Sequence, residues 1–295
     1  MKPALFKGAA TAIVTPFLPS GGIDEEALRK HVHFQIENGI QALIACGTTG
    51  EPATMNKDEW ARTIQIVVEE TKGRVPVIAG TGGNNTAAII ADAKRAKNLG
   101  ADGQLCVTPY YNKTTQEGLV AHYQAISDES DLPIIVYNVP GRTGLDIQPA
   151  TIKKLAAIPK VVGVKEASGN VAHAADMVVA CEHSVAFYSG SDEVNVPLMS
   201  VGFQGAISVL SNVVPKETAA MINEALDGNY GKATELQLDF LPLIRLLFVE
   251  VNPIPAKAAL ALMGRMHNVL RLPLVPMSQG NQDKLRAELQ RMGLL

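Results

Sequence analysis

Short apolar runs recur along this chain, each closed by Gly, Pro, Thr or Asn and followed by a polar stretch with apolar residues at four-residue spacing. Such runs predict strands buried on both faces, as in a parallel sheet, and the stretches between them predict amphipathic helices. Strands are predicted over residues 8–14, 42–46, 75–79, 101–107, 133–137, 161–165, 185–188 and 205–209. Asp24 caps the first helix, with Glu25 and Glu26 at the positive end of its dipole and Leu28, Val32 and Ile36 along one face. Further helices are predicted over about 56–71, up to Leu99, from about Gln116, over 149–157, and near 192–202 and 215–227. Eight strands alternating with helices in roughly 220 residues predict an α/β fold, a (β/α)8 TIM barrel. An open doubly wound sheet is the second architecture. Against it, Gly80-Thr81-Gly82-Gly83-Asn84-Asn85 lacks the third glycine of a dinucleotide fingerprint, and no Walker loop occurs. The remaining residues carry helical patterns around 233–247, 256–266 and 282–292 and no linker. The predicted organisation is a catalytic barrel over 1–228 and a C-terminal helical annex over 229–295 packed on it.

Composition narrows the function classes. Of 295 residues, 47% are hydrophobic and 19% charged, with a net charge of -3, so nothing suggests nucleic acid or an anionic membrane as partner. No apolar run reaches a membrane span, and the first residues lack the apolar core of a signal peptide. Cys46, Cys106 and Cys181 are scattered and odd in number, which points away from disulfides and zinc; the first two are expected as reduced core thiols. His31 and His33 have no third ligand in view and are expected as surface or rim residues. A cytoplasmic enzyme without a metal fits all of this.

The chemistry lies at the strand ends, where (β/α)8 barrels place their sites. Those ends carry Thr48, Thr49, Asn84, Tyr110, Tyr111, Tyr137, Arg142, Lys165 and Ser189-Gly190. No histidine closes any strand and no carboxylates cluster, so a metal site, a serine triad and a paired-acid glycosidase all lack their parts. Lys165 is the anomaly, because it ends an apolar strand where lysine is rarely buried without a partner. Burial disfavours the ammonium form, and an amine that is neutral part of the time attacks carbonyl carbon. Each member also has a plainer reading: the threonines as helix caps, Tyr137 as a core ring, Arg142 as a loop charge, Tyr110-Tyr111 as rim cover. Together the set suits Schiff-base chemistry.

Gly47-Thr48-Thr49-Gly50-Glu51, Thr108-Pro109-Tyr110-Tyr111, the run from Tyr137 to Gly144, Gly163-Val164-Lys165-Glu166-Ala167 and Asn252-Pro253-Ile254-Pro255 resemble the 4-hydroxy-tetrahydrodipicolinate synthase family, formerly dihydrodipicolinate synthase. It belongs to the neuraminate lyase superfamily of pyruvate-dependent class I aldolases, and the resemblance covers essentially the whole chain. It implies condensation of pyruvate with L-aspartate 4-semialdehyde through a Schiff base on Lys165, in lysine and diaminopimelate biosynthesis, without a cofactor. By the same resemblance Tyr137, Thr48 and Tyr111 form a proton relay, with Tyr111 reaching in from a neighbouring subunit of a homotetramer. Thr49 binds the pyruvate carboxylate near backbone groups of Gly190 and Ile207, and Arg142 pairs with the carboxylate of the semialdehyde. Two other readings stay open: a sibling aldolase or lyase acting on a sugar acid such as N-acetylneuraminate or a 2-keto-3-deoxy sugar acid, and a barrel that binds a keto acid without turnover. Ser191 stands where the family commonly has an acid. Lys57, Trp60 and Ala88 replace the two histidines and the glutamate with which many relatives bind inhibitory lysine, so insensitivity to lysine is expected.

Overall fold

The computed structural model describes residues 2–295. Eight parallel strands close in chain order: β1 (Gly8–Ala12), β2 (Ala42–Ala45), β3 (Val77–Gly80), β4 (Gly103–Val107), β5 (Ile134–Asn138), β6 (Val161–Glu166), β7 (Ala186–Ser189) and β8 (Gly205–Ser208), with β8 hydrogen-bonded back to β1. Because side chains alternate along a strand, each run feeds two cores. Ala10, Ala12, Ile44, Ile78, Leu105, Ile135, Tyr137, Tyr188 and Ile207 fill the barrel, while Leu43, Val77, Cys106, Val136, Val164 and Phe187 belong to the outer core. Both faces of every strand are buried, which is why the runs read as continuously apolar.

The outer layer contains α1 (Glu25–Glu37), α2 (Lys57–Thr71), α3 (Thr86–Asn98), α4 (Gln116–Glu129), the single turn α5 (Pro140–Thr143), α6 (Pro149–Ala157), α7 (Val171–Cys181), α8 (Asn195–Ser200) and α9 (Pro215–Leu226). Their starts follow the capping rules: Asp24 accepts from the backbone N–H of Ala27, and Asn56 with Glu59 forms a capping box on α2. Asn56 therefore does what the plainer reading assigned to Thr48 and Thr49. The predicted helix over 192–202 is split, a 3-10 turn over Asp192–Val194 preceding α8. Its cause is Asp192, whose carboxylate turns inward to accept from the backbone N–H groups of Val209 and Leu210. α7 was not among the predicted helices.

Three further helices, α10 (Tyr230–Leu246), α11 (Ile254–Leu262) and α12 (Gln279–Arg291), follow the barrel. α10 packs on α9, and α12 packs on both α10 and α11. No helix among the described residues is long and apolar enough to cross a membrane. All three cysteines are free and buried.

One expectation is corrected. His31 is not a surface residue: it is buried, and its Nε2 lies 3.1 Å from Oδ1 of Asn212. Asn212 Oδ1 only accepts, so the ring donates from Nε2, and burial pushes the histidine down to about 4. His33 is partly exposed and pairs with Glu70 at 2.6 Å.

Candidate active site

The register of β5, β6 and β7 sets Tyr137, Lys165 and Tyr188 side by side across three neighbouring strands. All three belong to the inward-facing half of their strands, since Gly163, two residues before Lys165, lies beneath the Tyr188 ring. A Cβ on Gly163 would stand 3.0 Å from that ring, so the missing side chain makes room for it. Lys165 is 5% exposed, and its Nζ sits 4.3 Å from the centroid of the Tyr137 ring. The amine makes no hydrogen bond to any described residue of the chain. Gly190, just past β7, lets the lysine stem through: a Cβ there would come within 2.8 Å of Lys165 Cε and 2.6 Å of Ala167 Cβ.

Lys165 opens into a cavity of about 270 Å³ lined also by Thr48, Thr49, Tyr137, Arg142, Gly190, Ser191, Phe248 and Asn252. A larger cavity of about 500 Å³ adjoins it and shares Thr48, Tyr137, Arg142 and Asn252, but Lys165 does not line it. The reacting carbon must meet the amine, so the smaller cavity is the candidate site and the larger one its neighbour. Among the described residues the Tyr137 hydroxyl bonds no backbone group, unlike that of Tyr188, which donates to the Phe6 carbonyl at 2.9 Å. Tyr137 is thus left available to a ligand where Tyr188 is spent on structure.

Thr48 and Thr49 sit on a 3-10 turn, Thr48–Gly50, that leaves β2. Thr49 is buried and its Oγ1 accepts from Nδ2 of Asn252 at 3.0 Å. Arg142 lies in α5 and donates through Nη2 to the Asn252 carbonyl at 3.3 Å, so its head is steered to the rim of both cavities. Among the described residues Ser191 hydrogen-bonds locally: its N–H donates to the Ser189 hydroxyl, and its carbonyl accepts from that hydroxyl and from the Val194 N–H.

Two predicted residues stand apart. Ile207 is 1% exposed inside the barrel, paired in register with Ala10, and lines neither cavity with its side chain. Tyr111 is 93% exposed, at φ 68°, and lines neither cavity of its own chain. Asn252 is the residue that strand-end reasoning did not reach. It comes from the segment before α11, far beyond the last strand, and only the resemblance of Asn252-Pro253-Ile254-Pro255 marked the stretch. Among the described residues no group of three His, Cys, Asp or Glu side chains is placed to hold a metal.

The model of the dihydrodipicolinate synthetase family matches residues 5–292. The chain belongs to this family. The 4-hydroxy-tetrahydrodipicolinate synthase of Geotalea uraniireducens is 47% identical over 291 residues, 99% of this chain and 100% of that protein. Dihydrodipicolinate synthase from Thermotoga maritima superposes with a TM-score of 0.97 at 45% identity, covering 99% of this chain and 100% of that one. The Acinetobacter baumannii dihydrodipicolinate synthase complexed with pyruvate gives a TM-score of 0.96 at 43% identity over 98% and 99% of the two chains.

Proposed function

We propose that this member of the dihydrodipicolinate synthetase family condenses pyruvate with L-aspartate 4-semialdehyde, forming 4-hydroxy-tetrahydrodipicolinate for lysine and diaminopimelate biosynthesis. The observation that carries the reading is the buried Lys165 amine, without a hydrogen-bond partner among the described residues, facing a small cavity beside Tyr137. The amine adds to the keto carbon of pyruvate and expels its oxygen as water, giving an imine. Loss of a methyl proton makes the enamine, whose carbon attacks the aldehyde carbon and leaves a hydroxyl there. The amino group of the semialdehyde then attacks the imine carbon and displaces Lys165, closing the ring and freeing the enzyme. Phenol and threonine hydroxyls pass protons over hydrogen-bond distances without carrying charge at rest, the role assigned to Tyr137, Thr48 and Tyr111. Thr49 and the backbone at Gly190 and Ile207 receive the pyruvate carboxylate.

Arg142, whose planar fork suits a carboxylate, receives that of the semialdehyde. The exposure of Tyr111 suits a side chain that completes the site of another copy, in a tetramer built as a dimer of dimers. No metal or organic cofactor enters these steps, and the reading places the enzyme in the cytoplasm. Turnover of pyruvate with aspartate semialdehyde, run beside cleavage assays on N-acetylneuraminate and 2-keto-3-deoxy sugar acids, tests it. Turnover of the semialdehyde pair alone is expected; cleavage of a sugar acid in its place overturns the reading.

A further inference from the structure

The turn that carries Thr48 and Thr49 is held from behind by a buried ion pair that none of the steps above uses. Glu51, directly after the turn, sits at φ 56° and ψ 39°, in the left-handed region that a non-glycine residue occupies at a cost. Its Oε1 lies 2.6 Å from Nζ of Lys257 on α11, with side-chain exposures of 2% and 0%. Its Oε2 accepts from the backbone N–H of Arg271 at 3.3 Å. Lys257 Nζ and the Arg271 guanidinium both lie over the Phe17 ring, at 4.1 and 4.3 Å from its centroid. Beneath the turn there is no slack, since a Cβ on Gly50 would stand 3.3 Å from the Ile13 carbonyl and from Thr15 Oγ1.

Stability alone is a poor reason for such a pair, because two charges taken out of water are repaid only in part by their attraction. Geometry supplies a better one. α11 and the segment leading into it reach the turn at two points, Asn252 at Thr49 and Lys257 at Glu51. The middle of the turn is fixed by a hydrogen bond at Thr49 and its far side by a salt bridge at Glu51, and Thr48, just before these anchors, stands on the wall of both cavities. We propose that Glu51 and Lys257 are positioning residues for the Schiff-base reaction: their ion pair holds the left-handed residue that ends the turn, and so aims the Thr48 and Thr49 hydroxyls at the substrate beside Lys165. This rests on the function proposed above and assigns to the C-terminal helices a share in the site.

The test replaces the pair by neutral groups of similar volume, Glu51→Gln with Lys257→Met, which removes both buried charges together. Arg29→Met serves as control, since it breaks the ion pairs to Glu69 and Glu70 on the outside of α1 and α2. Melting temperature, kcat, pyruvate KM and the rate of pyruvate-dependent borohydride labelling of Lys165 are measured for each. The double variant is expected to keep its melting temperature near that of the wild type, while kcat falls and pyruvate KM rises by about tenfold each and labelling slows in step. Arg29→Met is expected to keep wild-type kinetics. A double variant with kinetics within threefold of wild type overturns the proposal, as does a loss of rate in Arg29→Met that matches it at equal stability. If the double variant does not fold, Glu51→Asp decides: it keeps the charge but shortens the reach, and the same paired kcat and KM defect is expected, with wild-type kinetics as the overturning result. Absence of wild-type turnover with aspartate semialdehyde would sink the function, whereas the labelling rate judges the ion pair by itself.

Discussion

Lys165 and Lys257 are both removed from solvent, at 5% and 0% exposure, and both lie over an aromatic ring. Their surroundings differ in one respect. Lys257 meets a carboxylate at 2.6 Å, at the seam between the turn after β2 and α11. Burial pushes its ammonium below the usual lysine range, the Glu51 charge and hydrogen bond pull it back up, and nearby Arg271 pushes it down again. Lys165 meets no hydrogen-bond acceptor among the described residues, only the face of Tyr137 and the open side of a cavity. Burial is therefore common to Lys257 and to the lysine proposed to react, and what separates them is whether the fold supplies a partner or leaves the place open to a cavity. An amine paired with a carboxylate is a strut; one without such a partner is available for bonding to carbon.

The comparison breaks first at Lys165 itself. Lys165→Arg keeps a cation but no nucleophilic amine, so turnover should fall at least about a thousandfold and pyruvate-dependent borohydride labelling should vanish. Mapping the label in the wild type checks this directly, and a reduced pyruvyl group on Lys257 or any other lysine would erase the distinction. Arg142→Ala comes next. Losing a charge-assisted contact costs about 1.5–3 kcal/mol, or roughly ten- to a hundredfold in use of the semialdehyde, while labelling with pyruvate should persist. Normal kinetics with the semialdehyde would return Arg142 to the status of a loop charge.

Gly190→Ala moves Lys165 without changing its chemistry. The added methyl would meet Cε of Lys165 at 2.8 Å, inside van der Waals contact, so the stem must shift, which should lower kcat about tenfold with a slower labelling rate. Wild-type labelling in this variant would show that the lysine stem has slack. His31 tests burial without touching either lysine. Held neutral down to about 4 in the fold, against 6.5 in an unfolded chain, it lets the unfolded state bind a proton that the barrel refuses. Its contribution is thus full above pH 6.5 and is lost as pH falls toward 4, by on the order of 3 kcal/mol. His31→Gln, which keeps a donor for Asn212, should flatten that part of a urea-melt series against pH and leave kcat unchanged; an unaltered slope would assign the acid sensitivity elsewhere. The smallest effect is expected from free lysine added to the assay. Lys57 is already paired with Asp92 at 2.5 Å beside Trp60 on the wall of the larger cavity, and Ala88 there offers no acceptor for an incoming ammonium. No saturable inhibition should appear at modest lysine concentrations.

Much of the barrel was legible because strands buried on both faces cannot hide their composition, and because caps such as Asp24 and Asn56 act on backbone only a few residues away. α7 escaped because Val171–Cys181 is apolar around most of its circumference, which erases the period that announces a helix. Lys165 was legible for the same local reason as the strands: a charge at the end of an apolar run is visible in six residues. Partners distant in the chain were not. His31 was expected at the surface because nothing near it reveals Asn212, 181 positions away. Asn252 and Lys257 reach Thr49 and Glu51 across 203 and 206 positions. By itself the sequence determined the alternation of strand and helix, and with it the barrel and the ring of side chains at its mouth, since those follow from local periodicity and side-chain direction. Only the tertiary structure decided which buried lysine is paired, which tyrosine is free and which helix holds the threonine turn. Those outcomes depend on which residues closure of the barrel brings within a few ångströms, and hydrogen-bond and ion-pair energies are felt only at that range.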